Sequence, residues 1–232
     1  MLQLKSLNEI KGADAGWLKA RHHFAIGSYG NPDHKPIGNL IVFNDDEIAP
    51  HTGFGLHHHR NVEIVSYVHQ GTVTHEDDRG NRGRTHAGDV QVMSAGTGIS
   101  HSEKNEDDVP IRLFQIWLNP TSPNGTPQWG NRPFPKTDRA GTFVVLASGR
   151  GADGALPIRS DAEVHGALLQ SGTAAEYSFK EGDAGYLVPA TGEVEVNGVR
   201  VHAREGLVIV DEKKISIKAF TDSELVLVTT GR

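Results

Sequence analysis

Hydrophobic and polar positions alternate along most of this chain in short β-branched or aromatic runs, punctuated by Gly, Asp, Asn and Pro. Residues 40–43, 63–68, 72–75, 90–93 and 112–118 read as strands. So do 142–146, 184–188, 193–196, 207–210, 215–217 and 225–228. Asn197-Gly198 separates two alternating runs and predicts a tight hairpin, because both turn positions need positive φ. Residues 78–83, Asp-Arg-Gly-Asn-Arg-Gly, predict a second turn of the same kind. A helical pattern is confined to a short stretch around residues 13–21. Many short strands at this spacing predict an all-β fold built as a sandwich or barrel.

Residues 119–135 contain five Pro and two Gly without an apolar period, which predicts an extended surface linker. Strand patterns lie on both sides, so two β-domains are expected, 1–135 and 136–232. Each half has a hairpin ending in a Gly-rich turn and then a Gly that opens another strand, Gly88 in the first and Gly206 in the second. The echo suggests two copies of one barrel.

A length of 232 residues accommodates two such domains. The net charge of −6 and the lack of a basic stripe argue against direct nucleic-acid binding. The absence of Cys excludes disulfides, thiolate metal sites and cysteine nucleophiles. No apolar run approaches the ~20 residues of a membrane helix, and no secretory leader is visible, so a cytoplasmic protein is expected. The 13 His are unevenly placed, with eight between positions 51 and 101.

Within that window His57 pairs with His59, and His101 with Glu103. Residues i and i+2 of a strand share a face, so each pair offers two ligand-capable groups to one side. Two such strands meeting inside a barrel would gather three imidazoles and a carboxylate, a set suited to Fe(II), Ni, Cu, Mn or Zn. A lone strand His is ordinarily a surface or hydrogen-bonded residue, and it is the doubling of the pairs that favours a metal. His58 faces the other way, and His69 and His86 read as surface residues. His75 stands evenly between lining the site and not. Glu63, four residues after His59, competes with Glu103 as the carboxylate ligand or as a partner orienting a His.

These residues resemble the cupin motifs: His57-His58-His59, Glu63 and Gly71 in the first, and Gly88, His101 and Asn105 in the second. The wording is closest to the pirin family of bicupins. It carries Asn44-Asp-Asp46, Gly53-Phe-Gly55, Glu63-Ile64, Tyr67, Gly71-Thr72, His75 and the run Met-Ser-Ala-Gly-Thr-Gly-Ile-Ser-His-Ser-Glu over 93–103. Phe24, Tyr29 and residues 113–117 extend the likeness, and it continues more weakly around 211–217. Two departures stand out. His58 replaces the Pro usual between the first two ligands, and Asp77-Asp78 replaces Asp-Ser.

The resemblance implies a bicupin of two jelly-roll barrels, with one divalent metal held in the N-terminal one by His57, His59, His101 and Glu103. Fe(II) is the expected ion, with Ni, Cu, Mn or Zn as alternatives. The C-terminal barrel has Ala-Ala-Glu-Tyr-Ser at 174–178 in place of His-x-His and is expected to lack a metal. The implied activity is that of a quercetin 2,3-dioxygenase acting on a polyphenol and O2, with Glu103 taking the 3-hydroxyl proton. Phe54, Met93 and Phe114 are candidate pocket walls. A monomer is expected. The alternative is a non-enzymatic regulator acting through a protein partner, as pirins of eukaryotes are described.

Overall fold

A computed structural model describes residues 1–231. The first half contains β1 (Leu2–Lys5), β2 (Gly12–Asp14), β3 (Leu18–His22), β4 (Leu40–Ile48), β5 (Gly53–His59), β6 (Glu63–Gln70), β7 (Thr72–Asp77), β8 (Arg82–His86), β9 (Val90–Ser94), β10 (Ile99–Lys104), β11 (Ile111–Leu118) and β12 (Gln128–Arg132). The second contains β13 (Val144–Ser148), β14 (Leu156–Pro157), β15 (Ala162–Leu169), β16 (Ala174–Ser178), β17 (Asp183–Thr191), β18 (Glu193–Val196), β19 (Val199–His202), β20 (Gly206–Val210), β21 (Lys214–Ala219) and β22 (Ser223–Gly231). A 3-10 turn at Lys136–Arg139 lies between them.

Each half combines a seven-stranded and a four-stranded sheet. The order β9-β6-β11-β4 of the first large sheet recurs as β20-β17-β22-β15, and the small sheets run β5-β10-β7-β8 and β16-β21-β18-β19. The chain is therefore an all-β bicupin. One strand leaves its half: β1 pairs with β20, in the second large sheet.

The two large sheets pack face to face through one buried cluster to which both halves contribute. Phe43, Phe114 and Tyr67 meet Tyr186, Val188 and Val226 there, with the rings of Phe43 and Tyr186 5.4 Å apart. Period-2 alternation then turns the intervening residues of each large sheet into its own barrel.

The barrel interiors differ. The second is filled by aliphatic side chains, among them Leu187, Val194, Ile209, Ile215, Ile217 and Leu227. In the first, successive inward residues run apolar, polar, apolar: Leu113, Gln115 and Trp117 on β11, and Ile64, Ser66 and Val68 on β6. A buried polar belt thus crosses the N-terminal barrel between two apolar clusters.

Two local expectations fail. Residues 13–21 form no helix; β2 and β3 make a hairpin that joins the large sheet beside β4. A nine-residue helix cannot offset its own nucleation, whereas Gly16, at φ 81°, supports a turn and β4 supplies a partner. Residues 119–135 are not wholly a surface linker, because β12 pairs along β9. The strand fits between Pro127 and Pro133, where no missing N–H interrupts the ladder. No helix among the described residues is long and apolar enough to cross a membrane.

Candidate metal centre

β5 and β10 are antiparallel neighbours, with His57 opposite His101 and His59 opposite Ile99. That register places three imidazoles together: ring centroids lie 4.4 Å apart for His57–His101, 4.8 Å for His57–His59 and 5.1 Å for His59–His101. One nitrogen from each falls within 4.8 Å of the others. β7 lies on the other side of β10 and puts His75 opposite Glu103. His75, His101 and Glu103 form a second group meeting the same 4.8 Å limit, so the two groups share His101. β5 is the sheet edge, and His57 and His59 are half-exposed while His75, His101 and Glu103 are buried. The cluster therefore opens to solvent past β5.

Glu103 is held at both oxygens. Gln91 Nε2 donates to Oε1 at 2.5 Å, Ser66 Oγ to Oε1 at 3.3 Å, and Gln115 Nε2 to Oε2 at 2.8 Å. Trp117 Nε1 donates in turn to Gln115 Oε1 at 3.1 Å, and its ring meets that of His59 edge-on. Burial raises the Glu103 carboxyl to about 7, and the three donors oppose that rise. A cation beside it would favour the carboxylate further.

Burial and neighbouring imidazoles depress His59 to about 4 and His101 further still, so these rings are neutral at physiological pH. His57 Nδ1–H donates to the Gly55 carbonyl at 2.7 Å, which leaves Nε2 as a lone-pair donor. His101 Nε2 is buried without a hydrogen-bond partner. Neutral imidazoles, a caged carboxylate and an orphaned ring nitrogen together fit a divalent transition ion.

Glu63 is elsewhere. Its Oε2 accepts from Ser94 Oγ at 2.5 Å and from the backbone N–H of Arg159 at 2.9 Å, tying the first half to the second. Asn105 holds the loop after β10 through the carbonyls of Ile48 and Val109. His58 is exposed as expected and lies 3.2 Å from Ser100 Oγ. His86 is exposed too, whereas His69 is half-buried against Phe114. Of the expected pocket walls, Phe54 packs edge-on against Trp17 and approaches His57, and Met93 belongs to the apolar cluster beneath. Phe114 does not line this site, since it faces the other large sheet and packs on Phe43.

Sequence reasoning missed Ser66, Gln91, Gln115, Trp117 and Asp77. A signal existed for two of them: Gln91 and Gln115 are lone amides inside apolar runs, two residues from the apolar Met93 and Leu113 respectively. In the second half the equivalent ladder pairs Ala175 with Ile217 and Tyr177 with Ile215, so apolar side chains and a phenol stand where the first half has imidazoles.

The Pirin family profile matches residues 4–118, and that of the quercetinase C-terminal cupin domain matches 145–229. A pirin-like protein of Caulobacter vibrioides is 55% identical over 98% of this chain and 99% of its own length. The quercetin 2,3-dioxygenase of Escherichia coli K12 is 37% identical, with 98% and 97% covered. The crystal structure of a bacterial pirin from Escherichia coli in complex with nickel(II) superposes with a TM-score of 0.92 at 35% identity, covering 100% of this chain and 99% of that one. With the fold, the paired motifs and relatives of this similarity in agreement along its length, the chain belongs to the pirin family.

Proposed function

We propose that the chain is a metal-dependent dioxygenase that opens the ring of a flavonol-like polyphenol with O2, as the name of its Escherichia coli relative indicates for that protein. The observation that carries this reading is a caged, buried carboxylate, Glu103, beside three clustered imidazoles at a barrel edge open to solvent. His57, His59 and His101 would hold one divalent ion, with Glu103 completing the set. Fe(II) is the ion we propose, and nickel(II), present in a similar structure, is the nearest alternative.

When bound, the ion supplies Lewis acidity, redox capacity and open coordination positions. Glu103 would take the proton of the flavonol 3-hydroxyl, producing the electron-rich flavonolate. Gln91 and Gln115 hold the carboxylate in place, since each donates to a different oxygen. The two apolar clusters flanking the polar belt limit water around it. Phe54, half-buried near His57, offers a flat face to the substrate ring.

The test is direct. Protein loaded in turn with Fe, Ni, Cu and Mn is incubated with quercetin in air. Loss of the flavonol absorption band with release of carbon monoxide is expected from at least one form. Inertness of all four overturns the enzyme reading in favour of a regulator acting through a protein partner.

A further inference from the structure

We propose that Asp77 and His75 form a hydrogen-bonded chain that fixes the tautomer and ring orientation of His101, making His75 a positioning residue of the metal centre. The inference rests on the metal-holding reading above and concerns residues outside the four ligands proposed there.

Counting protons along the chain of side chains sets each tautomer. His101 Nδ1 lies 3.3 Å from His75 Nδ1, so one of the two nitrogens carries a hydrogen and the other a lone pair. The opposite nitrogen of His75, Nε2, lies 3.0 Å from Asp77 Oδ2. A carboxylate only accepts, so that nitrogen carries the hydrogen. A neutral His75 then has its lone pair at Nδ1, and His101 must donate from its own Nδ1. A neutral His101 with Nδ1–H has its lone pair at Nε2. That atom is buried, without a hydrogen-bond partner, in the ring shared with His57 and His59.

Asp77 is itself fixed. Its Oδ1 accepts the backbone N–H groups of Arg79 and Asn81, each at 3.0 Å, and Asn81 Nδ2 donates to Oδ2 at 2.9 Å. The side chains of both Asp77 and His75 have no exposure to water. The His75 ring is also clamped by Trp129, stacked at 4.6 Å and 7° from parallel. A side chain at position 83 would collide with that indole, because a Cβ there would stand 2.3 Å from the Trp129 ring; Gly83 leaves the space. His57 achieves the same tautomer through the Gly55 carbonyl. His101, deeper in the barrel, uses side chains from β7 instead.

Co(II) alone is the probe, titrated into the metal-free full-length chain and followed by its visible ligand-field spectrum. The sharpest variant is Asp77→Asn. The Arg79 and Asn81 N–H donors claim its oxygen, which leaves its NH2 facing His75 and inverts the whole chain of donors. His75→Phe keeps the stack on Trp129 and removes the acceptor, whereas His75→Asn places an oxygen close to where Nδ1 now lies. Asp77→Asn and His75→Phe are each expected to bind Co(II) about 10–100-fold more weakly with an altered spectrum, the effect usual for partners of metal-bound His. His75→Asn is expected to recover most of the loss. Asp77→Asn decides the matter if His75→Phe does not fold.

Affinity within about twofold of the parent and an unchanged spectrum in Asp77→Asn overturn the proposal, since that lies well below the usual effect. Loss of one coordinated imidazole in both His75 variants, counted by pulsed EPR of the Cu(II) forms, also overturns it, by making His75 a ligand. His57→Ala separates the two levels. If it too retains full Co(II) affinity, the metal reading falls; if it loses affinity while Asp77→Asn does not, only the positioning chain falls.

Discussion

The imidazole of His75 lies flat on the indole of Trp129, with ring centroids 4.6 Å apart and planes 7° from parallel. Trp129 comes from β12, within the Pro-rich segment that follows the first barrel's main strands, so this segment reaches back to cover the buried end of the site.

That contact predicts a stability effect. Trp129→Ala removes a ring that is only half-buried, so the expected cost is about 2 kcal/mol, below the roughly 3–5 kcal/mol of fully buried aromatic-to-Ala changes. For a chain of this length the melting temperature should drop by roughly 4–8 °C. Trp129→Phe should retain most of it. Thermal unfolding of the metal-free protein checks this, and an unchanged midpoint in the Ala variant counts against the stack.

The two candidate carboxylates should separate cleanly. Glu103→Gln is expected to abolish bound metal and quercetin turnover together, because the new amide meets the N–H donors of Gln91 and Gln115. Glu63→Gln is expected to keep its metal and to lose about 1 kcal/mol of stability through its bonds to Ser94 and Arg159. Elemental analysis of both purified variants decides, and full metal content in Glu103→Gln would remove that residue from the ligand set.

The junction of the halves holds a buried ionic group. Arg139, fully buried, donates to the Tyr67 hydroxyl at 2.5 Å and to the Gly88 carbonyl at 2.8 Å. Tyr67 donates to Glu224, which also accepts from Lys136 at 3.0 Å. Arg139→Met leaves Glu224 short of charge compensation between the sheets, and a cost of about 3–5 kcal/mol is expected. Denaturant unfolding measures it; a cost under about 1 kcal/mol would show that Lys136 suffices, as exposed pairs of that worth do.

Acid should destabilise the protein through His residues outside the metal centre, among which His23 and His165 are the most deeply enclosed. Burial, reinforced by Arg204, lowers His23 to about 3, and burial lowers His165 to about 4. Both therefore stay neutral in the folded chain while the unfolded chain takes up protons below its ordinary value of 6.5. The stability they confer is whole above that value and is lost as the pH falls toward 4. At pH 5 the loss is on the order of 2 kcal/mol for each site. Melting temperatures at pH 7.5 and 5.0 test the sign, and His165→Gln should show a smaller drop than the parent. An equal drop in both would exclude His165 from the effect.

Local chemistry was legible from the sequence alone. Alternation of side chains along a pleated strand is a property of the backbone, so His57 with His59, and His101 with Glu103, share faces wherever their strands go. The strands themselves, the hairpin at Asn197-Gly198 and the two-barrel architecture followed from the same periodicity and from turn chemistry. Which strands meet, and in what register, is long-range, and a local pattern does not encode it. Only the tertiary structure decided that β7 sets His75 opposite Glu103, that Glu63 turns away to Ser94 and Arg159, and that Trp129 returns to cover the site. It also decided that the first 22 residues are strands and turns with no helix, because β4 and β20 offered partners that a short isolated helix lacks. The composition of each strand was written in its own residues; the assembly of the centre required the neighbours that each strand found.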